Sequence, residues 1–248
     1  MMIIYSMKNK KTKYILIGIG LIFVIWLVLS LTFDSVVVPK ISDTVLSLIS
    51  ILSKGHSYAV IGLTMLRLLI ALTISFLIAI GLSVLAIAVD GAKEIMSPII
   101  TVLRSIPIVG IIIVILLIAK VDYASIIITV LVAFPIMYNA ILSGMENISK
   151  DIKDEVRMVS EINIDVISGV YIPIASPYII TGVLTSTGLG LKVMVMSEFI
   201  AAPKYSIARE MASYQLSFDM ASIFAWIIIM LIFVFTLEYF IKRIKVKN

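Results

Sequence analysis

The sequence predicts an all-α integral membrane protein of about six transmembrane helices, and three observations carry that reading. Of 248 residues, 61% are hydrophobic and only 14% charged, where a soluble domain carries about 25% charged residues. The apolar residues gather into nearly uncharged runs of the length, roughly 20 residues, that a helix needs to cross a bilayer core. The Lys and Arg residues sit mostly at the ends of those runs, so the net charge of +5 reads as a topology signal and not as a nucleic-acid surface. Composition also narrows the chemistry. With no cysteine and His56 as the single histidine, thiol nucleophiles and thiolate metal sites are removed, and a His-based metal site or triad lacks its residues.

Residues 14–33 form the first uncharged run, behind the basic cluster Lys8, Lys10, Lys11 and Lys13. The run exceeds the roughly 7–15 residues of a signal-peptide core and no A-x-A site follows, so an uncleaved first helix is expected. Residues 34–57, with Lys40, Asp43, Lys54 and His56, read as a short external segment with one amphipathic turn. Residues 68–89 are the second span, and Asp90-Gly91 marks a turn. Residues 95–119, apolar apart from Arg104, are expected to cross as a third span. Residues 123–145 form the fourth, followed by the charge-dense stretch 146–165. The fifth span covers about 177–199, contains Lys192 and ends near Glu198. The sixth begins at Met220 and runs out into Lys242, Arg243, Lys245 and Lys247. The expected organisation is an N-terminal part (1–57), a transmembrane domain (58–241) with a cytoplasmic loop (146–176), and a basic tail (242–248).

Six spans place both termini on one side. Twelve of the 20 Lys and Arg residues fall on the side of the tails and five on the other. The remaining three, Arg67, Arg104 and Lys192, lie in or against the spans. By the positive-inside rule the protein is N-in and C-in in the cell membrane, with 146–176 cytoplasmic.

Within that loop Val156, Val159, Ile162 and Val166 recur at helical spacing between charged residues, which predicts a short amphipathic helix. Ile172-Pro173 is expected to stop one segment and Pro177 to start the next. Asp154-Glu155-Val156-Arg157-Met158-Val159-Ser160, with Pro173 thirteen residues beyond Ser160, resembles the EAA loop of binding-protein-dependent ABC importer permeases. Asp154 stands at the family's Glu position and Ser160 replaces its Gly. Further stretches are similar to the nitrate, sulfonate and taurine branch. They are Thr64-Met65-Leu66-Arg67, Leu103-Arg104-Ser105-Ile106-Pro107, Ala133-Phe134-Pro135-Ile136-Met137-Tyr138-Asn139, and Glu198 near the end of its span.

The resemblance implies a type I importer permease fold, a homodimer or paired permease, cytoplasmic ABC ATPase subunits and an extracytoplasmic solute-binding protein. It implies a small polar or anionic solute, such as nitrate, an alkanesulfonate or a pyrimidine vitamin precursor. It also places ATPase coupling on Asp154, Glu155, Val156, Arg157, Ser160 and Pro173. The residues agree on one point independently: no Gly-Lys pair occurs, so the chain has no G-x-x-x-x-G-K-[ST] phosphate loop. ATP and Mg therefore belong to a partner, and no cofactor is expected in this chain.

Arg104, Lys192, Asn139 and Glu198 are the candidate pathway residues. An arginine at mid-helix costs roughly 2.5–3.5 kcal/mol to insert, so it tends to face a cavity or a partner. Arg104 could also snorkel, Asn139 could bond a neighbouring helix, and Glu198 could be a boundary charge. The alternative function is a secondary carrier driven by an ion gradient, with these charges as relays; paired repeats, common in such carriers, are not found. An intramembrane enzyme is poorly served by the same composition.

Overall fold

The computed structural model describes residues 2–159 and 163–244. Among them the regular structure is helical: α1 (Met2–Thr32), α2 (Ile41–Ser53), α3 (Gly55–Ala88), α4 (Ala92–Ser105), α5 (Ile108–Ile118), α6 (Val121–Glu146), α7 (Lys150–Val159), α8 (Ile164–Val166), a π-helical turn (Ile167–Tyr171), α9 (Ile172–Ala201), α10 (Ile207–Leu216) and α11 (Met220–Ile244). Among the described residues five helical stretches are long and apolar enough to cross a membrane, or six if the bent pair α4–α5 counts as one. The chain divides into two compact units, residues 1–58 with 210–229 and residues 59–209 with 230–248.

In the first unit α1 exposes nearly its whole apolar surface from Tyr14 to Phe33, as a lipid-facing helix does. Its return to α2 is pinned by Trp26, whose Nε1–H donates to the Pro39 carbonyl at 3.1 Å, and whose ring lies 5.6 Å from that of Phe224. The 34–57 segment is more ordered than one amphipathic turn, since α2 occupies 13 residues of it. Asp219 caps α11, accepting from the Ser222 N–H at 3.0 Å and the Ser222 hydroxyl at 2.6 Å.

The second unit is built on α3, α6 and α9. Ser83 and Gly190 mark the register: the Ser83 hydroxyl donates to Tyr138 O, and Gly190 lies against Leu68, Leu72 and Thr129. Helices α3 and α6 therefore run parallel, and α9 runs antiparallel to both. Small residues set the α6–α9 distance. A Cβ at Gly182 would lie 2.6 Å from the Ala140 Cβ, and one at Gly144 would lie 2.7 Å from the Tyr178 Cβ, so only glycine admits this approach. Ile111, Ile112, Ala124, Ile128 and Val193 form an apolar cluster that seats α5 on the same bundle.

Three expectations are corrected. The third span is broken: α4 and α5 meet at 98°, because Ile106 and Pro107 are both extended (ψ 130° and 128°). A residue before proline is driven out of the helical region, and Pro107 has no N–H to continue the ladder. The second span starts earlier, at Gly55, which brings Arg67 well inside α3. The fifth does not start at Pro177 after a stop at Ile172-Pro173. Helix runs unbroken from Ile164 to Ala201, and the π-helical turn, with Ile172 N–H bonded to Ile167 O, precedes Pro173 and absorbs the lost donor. A related correction concerns the loop. Asn163 caps α8 by accepting from the Val166 N–H at 2.9 Å, so Val156 and Val166 sit on separate helices. Ser160 and Ile162 lie outside the described residues.

Candidate functional site

Three polar assemblies in and around the α3–α6–α9 bundle concern function, and the sequence places each differently. The first is α7. Its ten residues carry Asp151, Glu155 and Met158 exposed, while Ile152, Asp154 and Val156 are half-buried. That is an amphipathic helix whose outward face mixes Lys150, Asp151 and Glu155 with Met158. Arg157 belongs to its backbone, and Pro173 is exposed on the first turn of α9. The Lys153 ammonium donates to the Glu146 carbonyl at 2.6 Å, which ties α7 to the end of α6. The Glu146 carboxylate in turn pairs with Lys93 at the start of α4.

The second assembly is a cleft of about 160 Å³ between α4 and α6, lined by Lys93, Ser97, Thr101, Arg104, Tyr138 and Asn139 together with Ile100 and Leu142. Ser97, Thr101 and Arg104 fall on one stripe of α4 by their spacing of four and three residues. Gly91, at φ 80°, makes the turn that starts this helix. Arg104 is exposed in its last turn and also lines an apolar hollow with Leu103, Ile106, Ile108, Val132, Ile136 and Leu189. The Thr101 hydroxyl is committed to Ser97 O at 2.8 Å. The Tyr138 hydroxyl is buried with no hydrogen-bond partner; leaving such a group unmade costs about 1–3 kcal/mol.

The third assembly lies at the opposite end of α9. The Glu198 carboxylate, wholly buried, accepts from the Thr64 hydroxyl at 2.9 Å and from Arg67 Nη1 at 2.9 Å. Arg67 Nη1 also donates to Tyr205 O at 2.8 Å, and Thr64 Oγ1 accepts the Ile207 N–H at 3.1 Å. Asp122 stands 4.0 Å from the same guanidinium but is mostly exposed, so it adds little. The left-handed Ala202 (φ 51°) ends α9 and turns the chain back over this cluster. Thr64, Arg67 and Glu198 thus join α3, α9 and the approach to α10, with both carboxylate oxygens engaged.

Of the four candidate pathway residues, Arg104 and Asn139 meet in one cleft. Glu198 is enclosed by its partners away from that cleft, and Lys192, exposed on α9, lines neither. Sequence reasoning did not single out Tyr138, Glu146, Lys93 or the pairing of Arg67 with Glu198. A signal for the last existed: Arg67 and Glu198 are opposite charges in apolar runs, near corresponding ends of antiparallel spans.

Residues 90–246 match the family described as binding-protein-dependent transport system inner membrane component. Among solved structures, the inward-facing MetNI methionine ABC transporter superposes with a TM-score of 0.62 at 14% identity, over 75% of this chain and 91% of that one. A second crystal form of it gives 0.63 at 15% identity, over 75% and 91%. An amino acid ABC transporter solved with histidines gives 0.56 at 17% identity, over 73% and 86%. At such identities the likeness is one of fold. No curated protein matches the sequence. The family match spans more than half of the chain, so the chain belongs to the binding-protein-dependent transport system inner membrane component family, as a multi-pass inner-membrane permease subunit of an ABC importer with the type I permease fold.

Proposed function

We propose that this permease moves a small polar or anionic solute, delivered by an extracytoplasmic solute-binding protein, and is driven by separate ATPase subunits that dock on α7. The Glu146 end of the bundle faces the cytoplasm and the Glu198 end faces outward, in keeping with the distribution of Lys and Arg. A homodimer supplies the two halves of the pathway, with Arg104, Asn139 and Lys192 the residues offered to it. Glu198 serves as a clamp for the outer end. The resemblance to the nitrate, sulfonate and taurine branch supports the anionic half of the substrate range. The ion-gradient carrier is the weaker reading, since the family is one of binding-protein-dependent transport.

The observation that carries the proposal is α7: a ten-residue amphipathic helix, charged outward, fastened to α6 through Lys153. An ATPase can drive alternating access only through contacts whose free energies differ between states. Asp154, Glu155 and Arg157 are the polar candidates for those contacts, with Ser160 and Pro173 at the segment's limits. Reversing Asp154 and Glu155 to Lys is expected to abolish ATPase co-purification or uncouple hydrolysis from transport, while the chain still inserts and folds. Wild-type co-purification and wild-type substrate-stimulated hydrolysis in the same variant would reduce α7 to a connector.

A further inference from the structure

Helix α2 lies outside residues 90–246, which carry the family match, so that membership assigns it no role. Its 13 residues make it about 20 Å long, short of the roughly 30 Å of a bilayer core. Three stripes run along it at spacings of four and three residues. Thr44, Leu48 and Ile51 form one, with Thr44 and Ile51 buried and the Thr44 hydroxyl donating to Lys40 O at 3.1 Å. Asp43, Ser47 and Ser50 form a polar second. Val45, Ile49 and Leu52 form the third, exposed and wholly apolar, and Leu46 widens it. The two ends are built alike. Lys40 precedes the helix and Lys54 follows it, both exposed, and neither forms an ion pair among the described residues. Beside Lys40 the Trp26 Nε1–H donates to the Pro39 carbonyl at 3.1 Å. Near Lys54 the hydroxyl of the exposed Tyr58 donates to the Leu52 carbonyl at 2.7 Å.

We infer that α2 lies flat in the outer interface of the bilayer, with Val45, Ile49 and Leu52 at the acyl boundary and Lys40 and Lys54 on lipid phosphates. Water disfavours the apolar stripe and acyl chains disfavour Asp43, so the boundary is where both stripes are solvated. Tryptophan and tyrosine gather at that same depth, and lysine stems reach from it to charged headgroups. The exposed apolar surface of α1 leads into α2 through residues 33–40, so the stripe continues a lipid-facing surface. Four exposed apolar side chains fall far below the roughly 20–30 residues a side of a stable protein interface, which sets a second copy of the chain or a soluble partner behind the lipid surface. The inference goes beyond the proposed transport and takes from it only the N-in orientation, which makes this side the outer one.

The test uses the full chain, which has no native cysteine, with Ile49→Cys or Ser50→Cys carrying an environment-sensitive fluorophore, in nanodiscs of phosphatidylcholine with and without phosphatidylglycerol. At Ile49 the emission is expected to shift to the blue. Lipids spin-labelled near the headgroup, at a depth of about 5–10 Å, should quench it more than lipids labelled at the chain end or aqueous iodide. At Ser50, the next residue but on the polar stripe, iodide should be the stronger quencher. Phosphatidylglycerol is expected to strengthen the shallow quenching at Ile49, and Lys40→Gln with Lys54→Gln to cancel that gain. Iodide quenching of Ile49 as strong as that of Ser50 would overturn the inference and leave the stripe to a soluble partner. Shielding of Ile49 from lipid and iodide alike would overturn it in favour of a second copy of the chain. A phosphatidylglycerol gain that survives in the lysine variant would overturn the phosphate contacts. Nanodiscs are open on both sides, so the depth reading does not depend on orientation. An impermeant thiol reagent on intact cells checks that separately: labelling of Lys54→Cys is expected, and its absence would overturn the outer placement while the depth reading stood.

Discussion

The Glu198 cluster, on α3 and α9, and the Arg104 cleft, between α4 and α6, each set one arginine near side-chain hydroxyl groups, yet they differ in what is left over. At the Glu198 end the carboxylate is wholly buried and both its oxygens are engaged, the Thr64 hydroxyl both donates and accepts, and Arg67 reaches a carboxylate and a carbonyl. At the cleft, donors outnumber acceptors and a buried hydroxyl has no partner. A charge inside an apolar bundle therefore does not by itself mark function. A charge whose partners all lie within the chain holds the fold.

Breaking the closed end should have the largest effect. Glu198→Ala leaves the Arg67 guanidinium without its carboxylate in a nearly buried position, and removing one partner of a buried pair costs about 3–5 kcal/mol. The expected outcome is a marked fall in thermal stability and in the yield of folded protein, with Glu198→Gln milder because its amide oxygen can still accept from Arg67 while its N–H faces the Thr64 hydroxyl oxygen. If Glu198→Ala unfolded at the wild-type temperature, the cluster would not be a clamp. Arg104→Ala, by contrast, should leave stability within about 0.5 kcal/mol of wild type, as substitutions at exposed positions usually do.

The packing between the two sites offers a smaller test. Gly182→Val would drive a side chain into the Ala140 Cβ, 2.6 Å from where a Cβ would stand, and overpacking of a tight contact costs about 1–3 kcal/mol. Pairing it with Ala140→Gly should recover part of the loss, and a double-mutant cycle measures that recovery. Full additivity of the two changes would show that α6 and α9 do not meet there.

The number and place of the spans were legible because hydropathy and charge act locally. The break in the third was not: residues 95–119 carry no charge but Arg104, and the bend depends on two extended residues at Ile106 and Pro107. Pro173 misled in the opposite direction, since a π-helical turn can carry a helix past a missing donor. Arg104 and Asn139 were found because they interrupt apolar runs. Tyr138 beside them gave no such signal, as tyrosine is ordinary in a span; only the third dimension shows its hydroxyl without a partner. The Glu198 cluster joins residues 131 to 143 positions apart, beyond any periodicity.

A small effect on stability, and one that sharpens the contrast between the two ends, belongs to Lys153. Its ammonium holds the Glu146 carbonyl at 2.6 Å, while the Glu146 carboxylate holds Lys93 at the mouth of the cleft. A continuous set of contacts thus leads from α7 to the wall of the cleft, whereas the Glu198 cluster closes on itself. Lys153 bonds at the protein surface, so Lys153→Met should change stability by less than about 1 kcal/mol. If the α7 contacts transmit ATPase movement to the cleft, the same variant should retain the ATPase on purification yet lose most substrate stimulation of hydrolysis. Glu146→Gln, which keeps the carbonyl that Lys153 uses and loses only the charge facing Lys93, should do the same while leaving α7 docked. Normal stimulation in both variants would place the transmission elsewhere in α6, and the two ends would then differ in chemistry but not in mechanical role.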